Sequence, residues 1–321
     1  MTQRHGIGFI GLGSIGQRML AQAWNHPRVQ PRVAWDLAAE RLAKTVANST
    51  GLRAATDVNS LINDDAVDVV YIASPPLTHA AHANAVLQSG KPVLCEKPLG
   101  IDIATSEALV ARATASGITH AVNFIFASAH PATQIEQALA RAELGEIKGV
   151  EAQLHLPNWA RRRYAEAPWL MESDQGGFVR EVLSHFIYLT ERLFGPAIVN
   201  YAHCRKGLRH GSAITGVVAE LTCGDVPINI HGSTLGWGPD VCNYTVWGEH
   251  CSYRVYDLYG LQVTTGERWL DSNTAGTNPA SDWHQRQYDQ LAAMLDGQTH
   301  TLPDFAAGLS VQRLIEGILA D

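Results

Sequence analysis

The chain of 321 residues lacks any apolar run approaching the roughly 18 residues that a membrane-spanning helix requires. Its start, Met1 to His5, passes directly into a strand-like segment, without the basic, apolar and small-residue succession of a secretory leader. A cytoplasmic protein is expected. Cysteine is scarce: Cys95, Cys204, Cys223, Cys242 and Cys251 make an odd number with no C-x-x-C pair, which excludes a regular disulfide framework and a zinc ribbon. A reducing compartment fits, and no metal site is called for. Positive charge is also short, 24 Lys and Arg against 31 Asp and Glu. The net charge of -7 excludes the broad basic footprint by which proteins meet nucleic acid or anionic membranes. The partners that remain are a small-molecule substrate and copies of the chain itself, as a homodimer or homotetramer.

What is present supports a large core. Hydrophobic residues make up 46% and charged residues 17%, and the length suits two domains better than one. From Gly6 to about Val122, apolar segments ("IGFIG", "RVAWD", "VDVVYIAS", "PVLCEKP", "THAVNF") alternate with helical periodicity. Helices are predicted at about Ile15–Asn25, Ala38–Ala47, from near His79, and at about Ala104–Ala115. Apolar strands without alternation are buried on both faces, as in a parallel sheet covered by helices. The first domain, residues 1–122, is therefore read as a doubly wound α/β unit.

After Phe124 the period changes. A helical run to about Leu144 is followed by alternating segments, "IKGVEAQLHL", "AITGVVAELTC", "PINIHGS", "NYTVWGEHCSYRVYDL" and "LQVTTGER". Alternation buries one face only, which predicts an antiparallel or mixed sheet. Residues 123–321 are assigned to a substrate-binding and oligomerisation α+β domain closed by a helix at about 303–320.

The first strand runs into Gly11-Leu12-Gly13-Ser14-Ile15-Gly16 and then a helix. Glycines there allow a tight turn, close approach of backbone to a pyrophosphate and close helix packing, with the helix N-terminus facing the anion. Asp36, twenty positions beyond Gly16, ends the second strand, where a carboxylate accepts hydrogen bonds from a ribose. A 2′-phosphate would be repelled there, and the next residue is Leu37 rather than an arginine, so NAD is expected over NADP. Arg41 and Lys44, one and two helical turns further on, read as solvated helix charges, with NADP kept as the alternative through them. Further on, Glu181 and His185 lie four apart on a helical pattern, hence on one face.

In order and spacing, G-L-G-S-I-G, "SPPLTHAAHA", "SGKPVLCEKPLG", "GGFVREVLSH" and the closing "PDFAAGLSVQRLIEGI" resemble the Gfo/Idh/MocA family of nucleotide-dependent oxidoreductases. The resemblance implies a Rossmann domain followed by a domain with a large open mixed sheet. It places Ser74, Pro75, His79, Glu96 and Asn123 on the cofactor side. It gives Lys97 the substrate oxygen, at the C-terminal edge of a parallel strand where ligands bind in open α/β sheets. Pro98 would fix the turn, through a cis peptide in some relatives. His185 would exchange a proton with substrate while Glu181 orients the ring.

Three departures from the family pattern bear on substrate. Glu181 stands where aspartate is common, Tyr188 where sugar-handling relatives often have aspartate, and Ala127, Ser128 and Ala129 where many have arginine before the proline. The loop "HLPNWARRRYAEAPWL" could supply other contacts. Asn158, Trp159, Arg161, Arg162, Arg163 and Tyr164 are its candidates, with Trp159 and Arg163 foremost, because a guanidinium fork matches carboxylate or phosphate. His79, His130 and His155 are further cleft candidates. The expected activity is NAD(P)-dependent hydride transfer between nicotinamide and a secondary alcohol or ketone of a sugar, polyol or similar polar metabolite. The alternatives are a dinucleotide-sensing regulator, a redox-neutral glycoside-cleaving enzyme that uses NAD transiently, and an imine reductase.

Overall fold

The computed structural model describes residues 4–157, 159, 167–207, 209–272 and 279–320. The chain forms two compact units: one runs to Phe124 and adds Ser281–Leu309, the other comprises Ile125–Ala280 and the chain from Ser310. A contiguous division at residue 122 misses this return of a late segment to the first unit. Its cause is the buried side of one helix, where Tyr288, Leu291 and Ala292 are covered and the Tyr288 hydroxyl donates to the Met19 carbonyl at 2.8 Å.

In the first unit, β1 (His5–Ile10), α1 (Ser14–Trp24), β2 (Val29–Trp35), α2 (Ala39–Ala47), β3 (Arg53–Ala54), α3 (Val58–Ile62), β4 (Val69–Ile72), α4 (Pro76–Gln88), β5 (Val93–Glu96), α5 (Ile103–Ser116) and β6 (His120–Asn123) succeed one another. The sheet order is β3-β2-β1-β4-β5-β6, every pair parallel. Its central strands are buried from Gly6 onward in β1 and throughout β4 and β5, as their unbroken apolar runs require. Chain order reverses between β1 and β4. The loops after those strands therefore diverge and leave the crevice in which such sheets bind ligands. Helix ends follow local chemistry: Asp57 and Ser60 form a reciprocal cap on α3, Asp102 accepts from the Thr105 amide at 2.7 Å, and Gly117 ends α5 with φ of 64°.

The second unit has α6 (His130–Ala140), β7 (Ile147–His155), α7 (Ser184–Phe194), β8 (Ile198–Arg205), β9 (Gly216–Cys223), β10 (Val226–Ser233), β11 (Val241–Gly248), β12 (Ser252–Tyr256), β13 (Gly260–Thr264) and β14 (Leu270–Asp271). Two late helices follow, α8 (Pro279–Leu295) and α9 (Phe305–Leu319). The eight strands are ordered β14-β13-β12-β11-β7-β10-β9-β8, with β7 and β10 parallel and the other pairs antiparallel. Along β7, Val150, Ala152 and Leu154 are buried while Glu151 and Gln153 are exposed, the period-two pattern of a sheet covered on one face. The covered face meets α7, where Phe186 stacks on Tyr244 and the Thr190 hydroxyl lies 3.1 Å from the Tyr244 hydroxyl. Among the described residues no helix is long and apolar enough to cross a membrane.

Candidate active site

The glycine loop between β1 and α1 has the shape its sequence implies. Gly11 has φ of +94°, and a Cβ there would stand 2.6 Å from the Ala73 backbone and the Ser74 nitrogen. A Cβ on Gly16 would strike the Gly11 carbonyl, whereas Gly13 has no protein atom within 4 Å of a Cβ position. Ser14 is exposed and Ile15 half-buried at the first turn of α1. Backbone can thus come close to a pyrophosphate at Gly13 while the other two glycines let strand and helix pack, so the loop fits a dinucleotide.

Asp36 follows β2 and is only 7% exposed. Its Oδ2 accepts the Leu12 N–H at 2.6 Å and its Oδ1 the Ala38 N–H at 2.8 Å. The carboxylate therefore braces the glycine loop from below. Arg41 is not the solvated charge that its spacing suggests: its Nη1 lies 3.1 and 3.2 Å from the two Asp36 oxygens, while Lys44 is exposed.

The end of β5 carries the second cluster. Glu96, 9% exposed, accepts the Tyr71 hydroxyl and the Asn123 amide on Oε1, each at 2.5 Å. Gln287 of α8 donates to the Asn123 side-chain oxygen. Strand ends β4, β5 and β6 are thereby tied together through side chains. Burial, followed by the Glu96 charge, drives the Tyr71 and Tyr288 phenols well above their ordinary pKa. Lys97 follows, half-buried, joined to Pro98 by a cis peptide. His79 is 1% exposed and sits beneath this turn rather than at a cleft surface. Its Nδ1 lies 2.7 Å from the Pro98 carbonyl and its Nε2 2.7 Å from the Ser74 carbonyl, so it links the loop after β4 to the loop after β5. Burial lowers its pKa to about 4, leaving a neutral ring with one N–H for the two carbonyls. Ser74 also accepts the Thr78 hydroxyl at 2.7 Å, and Pro75 precedes the first turn of α4.

In the second unit the glycine pair again has a steric cause. A Cβ on Gly176 would strike the Trp169 carbonyl, and Gly177 has φ of +96°. A π-helical turn, Val179–Leu183, then leads into α7, so Glu181 lies within, and His185 two residues beyond, a widened turn of the kind that recurs at functional sites. Arg180 anchors it: Nε and Nη2 each lie 2.7 Å from the Glu316 carboxylate of α9, and Nη1 donates to the Ser173 carbonyl at 2.7 Å. His185 is buried, and its Nδ1 accepts the Ile125 N–H at 3.4 Å. A neutral ring held that way carries its hydrogen on Nε2.

Tyr188 is buried, its phenol pushed up to about 12 by burial against the opposing pull of Arg192. Arg192 donates to the Phe126 and Ala127 carbonyls and, at 2.8 Å, to Glu136. The segment lacking the family arginine is thus braced from α7. His155 Nδ1 lies 2.8 Å from the Ser233 hydroxyl, His130 opens α6, and the Trp159 indole donates to the Leu170 carbonyl at 3.2 Å. Asn158, Arg161, Arg162, Arg163 and Tyr164 lie outside the described residues. Sequence reading missed Tyr71, Gln287, Arg180 and Glu316. Arg180 had a signal, since it adjoins Glu181 inside the motif, whereas no spacing rule points to Gln287.

The GFO/IDH/MocA model for an oxidoreductase family with an NAD-binding Rossmann fold matches residues 5–124, and the family's C-terminal domain model matches residues 132–254. The chain is 27% identical over 243 residues to dTDP-3,4-didehydro-2,6-dideoxy-alpha-D-glucose 3-reductase of Streptomyces violaceoruber, covering 72% of this chain and 68% of that protein. It is 28% identical over 208 residues to inositol 2-dehydrogenase of Rhodococcus jostii, covering 64% and 54%. The chain spans about half the length of the second relative and about two thirds of the first. In fold it is similar to levoglucosan dehydrogenase in complex with NADH and L-sorbose, with a TM-score of 0.85 at 20% identity, covering 99% of this chain and 96% of that one. The chain belongs to the GFO/IDH/MocA oxidoreductase family, with the NAD-binding Rossmann fold in its first unit and the family's C-terminal domain in its second.

Proposed function

We propose that the protein is an NAD-dependent dehydrogenase or reductase acting on a secondary alcohol or ketone of a sugar, polyol or similar hydroxylated ring. The observation that carries this reading is the Lys97 turn, set at the ligand edge of the parallel sheet and held by the Glu96 and His79 links. Gly11, Gly13, Ser14, Ile15 and Gly16 would hold the pyrophosphate, Asp36 the ribose side, and Ser74, Pro75, Glu96 and Asn123 the nicotinamide side, with His79 acting through the loops it joins. The bound dinucleotide supplies a hydride acceptor or donor at nicotinamide C4. Lys97 donates to the substrate oxygen and exchanges its proton. His185, with hydrogen on Nε2, is assigned as a hydrogen-bond donor to substrate; taking up a proton would require its ring to give up the Ile125 contact. Glu181 orients that ring, and Trp159 and Arg163 are assigned to the substrate side. The names of the relatives favour a polyhydroxylated ring as substrate. The open face of the eight-stranded sheet suits association of identical copies, and we place the protein in the cytoplasm.

The test is a screen of inositols, anhydrosugars, nucleotide-linked sugars and hydroxy acids with NAD, read as absorbance of the reduced nicotinamide. Stoichiometric NADH with a ketone product supports the reading. Substrate cleavage without net NADH would replace it with redox-neutral chemistry. Tight NAD binding with no turnover on any class would favour a regulator.

A further inference from the structure

Gln287 is a polar side chain on the covered side of α8, the side that includes Tyr288, Leu291 and Ala292, and it is 0% exposed. An apolar residue would be buried there without penalty, whereas an amide taken out of water must find partners. The Gln287 Nε2 donates to Asn123 Oδ1, and Asn123, 2% exposed, donates from Nδ2 to Glu96 Oε1 at 2.5 Å. An asparagine amide has one accepting and one donating end. A donor fixed against its oxygen therefore selects the orientation that offers Glu96 an N–H; turned over, the amide would set an oxygen against the carboxylate. Glu96 takes the Tyr71 hydroxyl on the same oxygen, and the next residue is Lys97. Beyond Lys97, the Pro98 carbonyl lies 2.7 Å from His79 Nδ1.

Other residues seat the helix that carries Gln287. The Tyr288 hydroxyl donates to the Met19 carbonyl at 2.8 Å, the Gln285 amide donates to the Gln22 carbonyl at 3.3 Å, and Asp289 lies 3.0 Å from His26 Nε2. These contacts go to α1 and the turn after it, whereas Gln287 reaches the strand end. Docking of α8 and orientation of the Asn123 amide are thus separable by substitution.

We propose that Gln287 is a positioning residue for the reaction, which acts through Asn123 and Glu96 to hold the strand end from which Lys97 reaches substrate. This rests on the assignment of Lys97 to the substrate oxygen. A residue 164 positions after Asn123 then governs the rate without touching the reacting atoms.

The experiment compares the natural full chain with Gln287→Met, Gln287→Glu, Tyr288→Phe and Lys97→Ala, on the compounds of the screen above that yield NADH. Gln287→Met keeps the length of the side chain and removes its donor. It should lower kcat by roughly 10- to 100-fold, the scale of a displaced reacting group, with KM and the Kd for NADH within about threefold. Tyr288→Phe removes a buried hydrogen bond of the same helix and should leave kcat within about twofold. The carboxyl group introduced by Gln287→Glu donates to Asn123 only while protonated, so its turnover, relative to the natural protein at each pH, should recover on acidification. In a Lys97→Ala background, Gln287→Met should add less than about a threefold loss, because its effect passes through Lys97. Equal losses of kcat in Gln287→Met and Tyr288→Phe, a Gln287→Met variant as fast as the natural protein, a Gln287→Glu ratio that does not change with pH, or full multiplication with Lys97→Ala overturns the proposal. Unchanged turnover in Lys97→Ala, or no NADH from any compound, would instead overturn the reading on which it rests.

Discussion

Asp36 and Glu96 stand at the C-terminal ends of two strands of one parallel sheet, are nearly equally buried at 7% and 9%, and are held in different ways. Backbone amides of Leu12 and Ala38, together with a guanidinium, hold Asp36. Glu96 is held by the Tyr71 hydroxyl and the Asn123 amide, which is fixed in turn by Gln287. The first arrangement stiffens a loop, because one of its donors is the Leu12 amide of the glycine loop itself. The second ties strand ends to one another and sets where the following residue, Lys97, begins its side chain. One sheet thus carries a carboxylate that shapes the glycine loop and a carboxylate that fixes the strand end from which Lys97 starts. The largest expected effect separates them.

If the β5 end serves chemistry and the β2 end serves binding, Lys97→Ala lowers kcat by about a thousandfold, roughly 4 kcal/mol of transition-state stabilisation, and leaves the Kd for NADH within about threefold. Equal losses in turnover and NADH affinity would erase the distinction. His185→Ala should also cost orders of magnitude if the proposed role holds, and a double variant that falls short of the product of the two effects would mark the two groups as acting on one substrate oxygen. His185→Gln sharpens the assignment. A side-chain N–H retained there recovers part of the rate if the imidazole only donates, and none if it exchanges the proton.

Amide substitutions compare the two carboxylates directly. Asp36→Asn must turn an NH2 group toward a backbone N–H, since both oxygens accept from the chain, and should cost about 3 kcal/mol in stability with a matching loss of dinucleotide affinity. Glu96→Gln can keep a carbonyl oxygen where Tyr71 and Asn123 donate, and should cost only about 1 kcal/mol. Chemical denaturation of the two variants measures the gap. Equal costs would mean that backbone and side-chain donors hold these acids alike.

The glycine loop, Asp36, the "EKP" turn and the "GGFVREVLSH" segment were legible because each depends on local geometry: positive φ, close approach or a strand end. The helices α1, α2, α5 and α9 lay within a few residues of the prediction because their apolar periodicity is strong. What escaped was set by distance in sequence. Gln287 reaches Asn123 across 164 residues, and Glu316 reaches Arg180 across 136, which no period or spacing encodes. The destination of α8 was hidden for the same reason, since its covered face includes Gln287 and His284 and reads as polar. Arg41 was misread because an i, i+5 approach to a carboxylate outside the helix is not a helix-face pairing.

The smallest effect tests the link between the loops after β4 and β5. His79 has its pKa lowered from 6.5 to about 4, chiefly by burial, so the unfolded chain binds its proton more readily than the folded one. Stability contributed by the neutral ring is whole above pH 6.5, falls as pH drops from 6.5 toward 4, and loses nothing further below that. Between pH 7 and pH 5 the loss is about 2 kcal/mol. His26 and His82, also held below their ordinary range mainly by burial, slope the same way. The measurement is therefore a difference. The stability of His79→Gln, followed by denaturation at several pH values, should decline less steeply with acid than that of the natural protein, because glutamine can donate to one carbonyl without titrating. The Lys97 turn keeps its brace in that variant, so turnover at neutral pH should change far less than in Lys97→Ala. An unchanged slope would mean that the ring titrates alike in the folded and unfolded chain, and a steeper decline in His79→Gln that the ring is protonated between its two carbonyls, a buried charge rather than a neutral bridge.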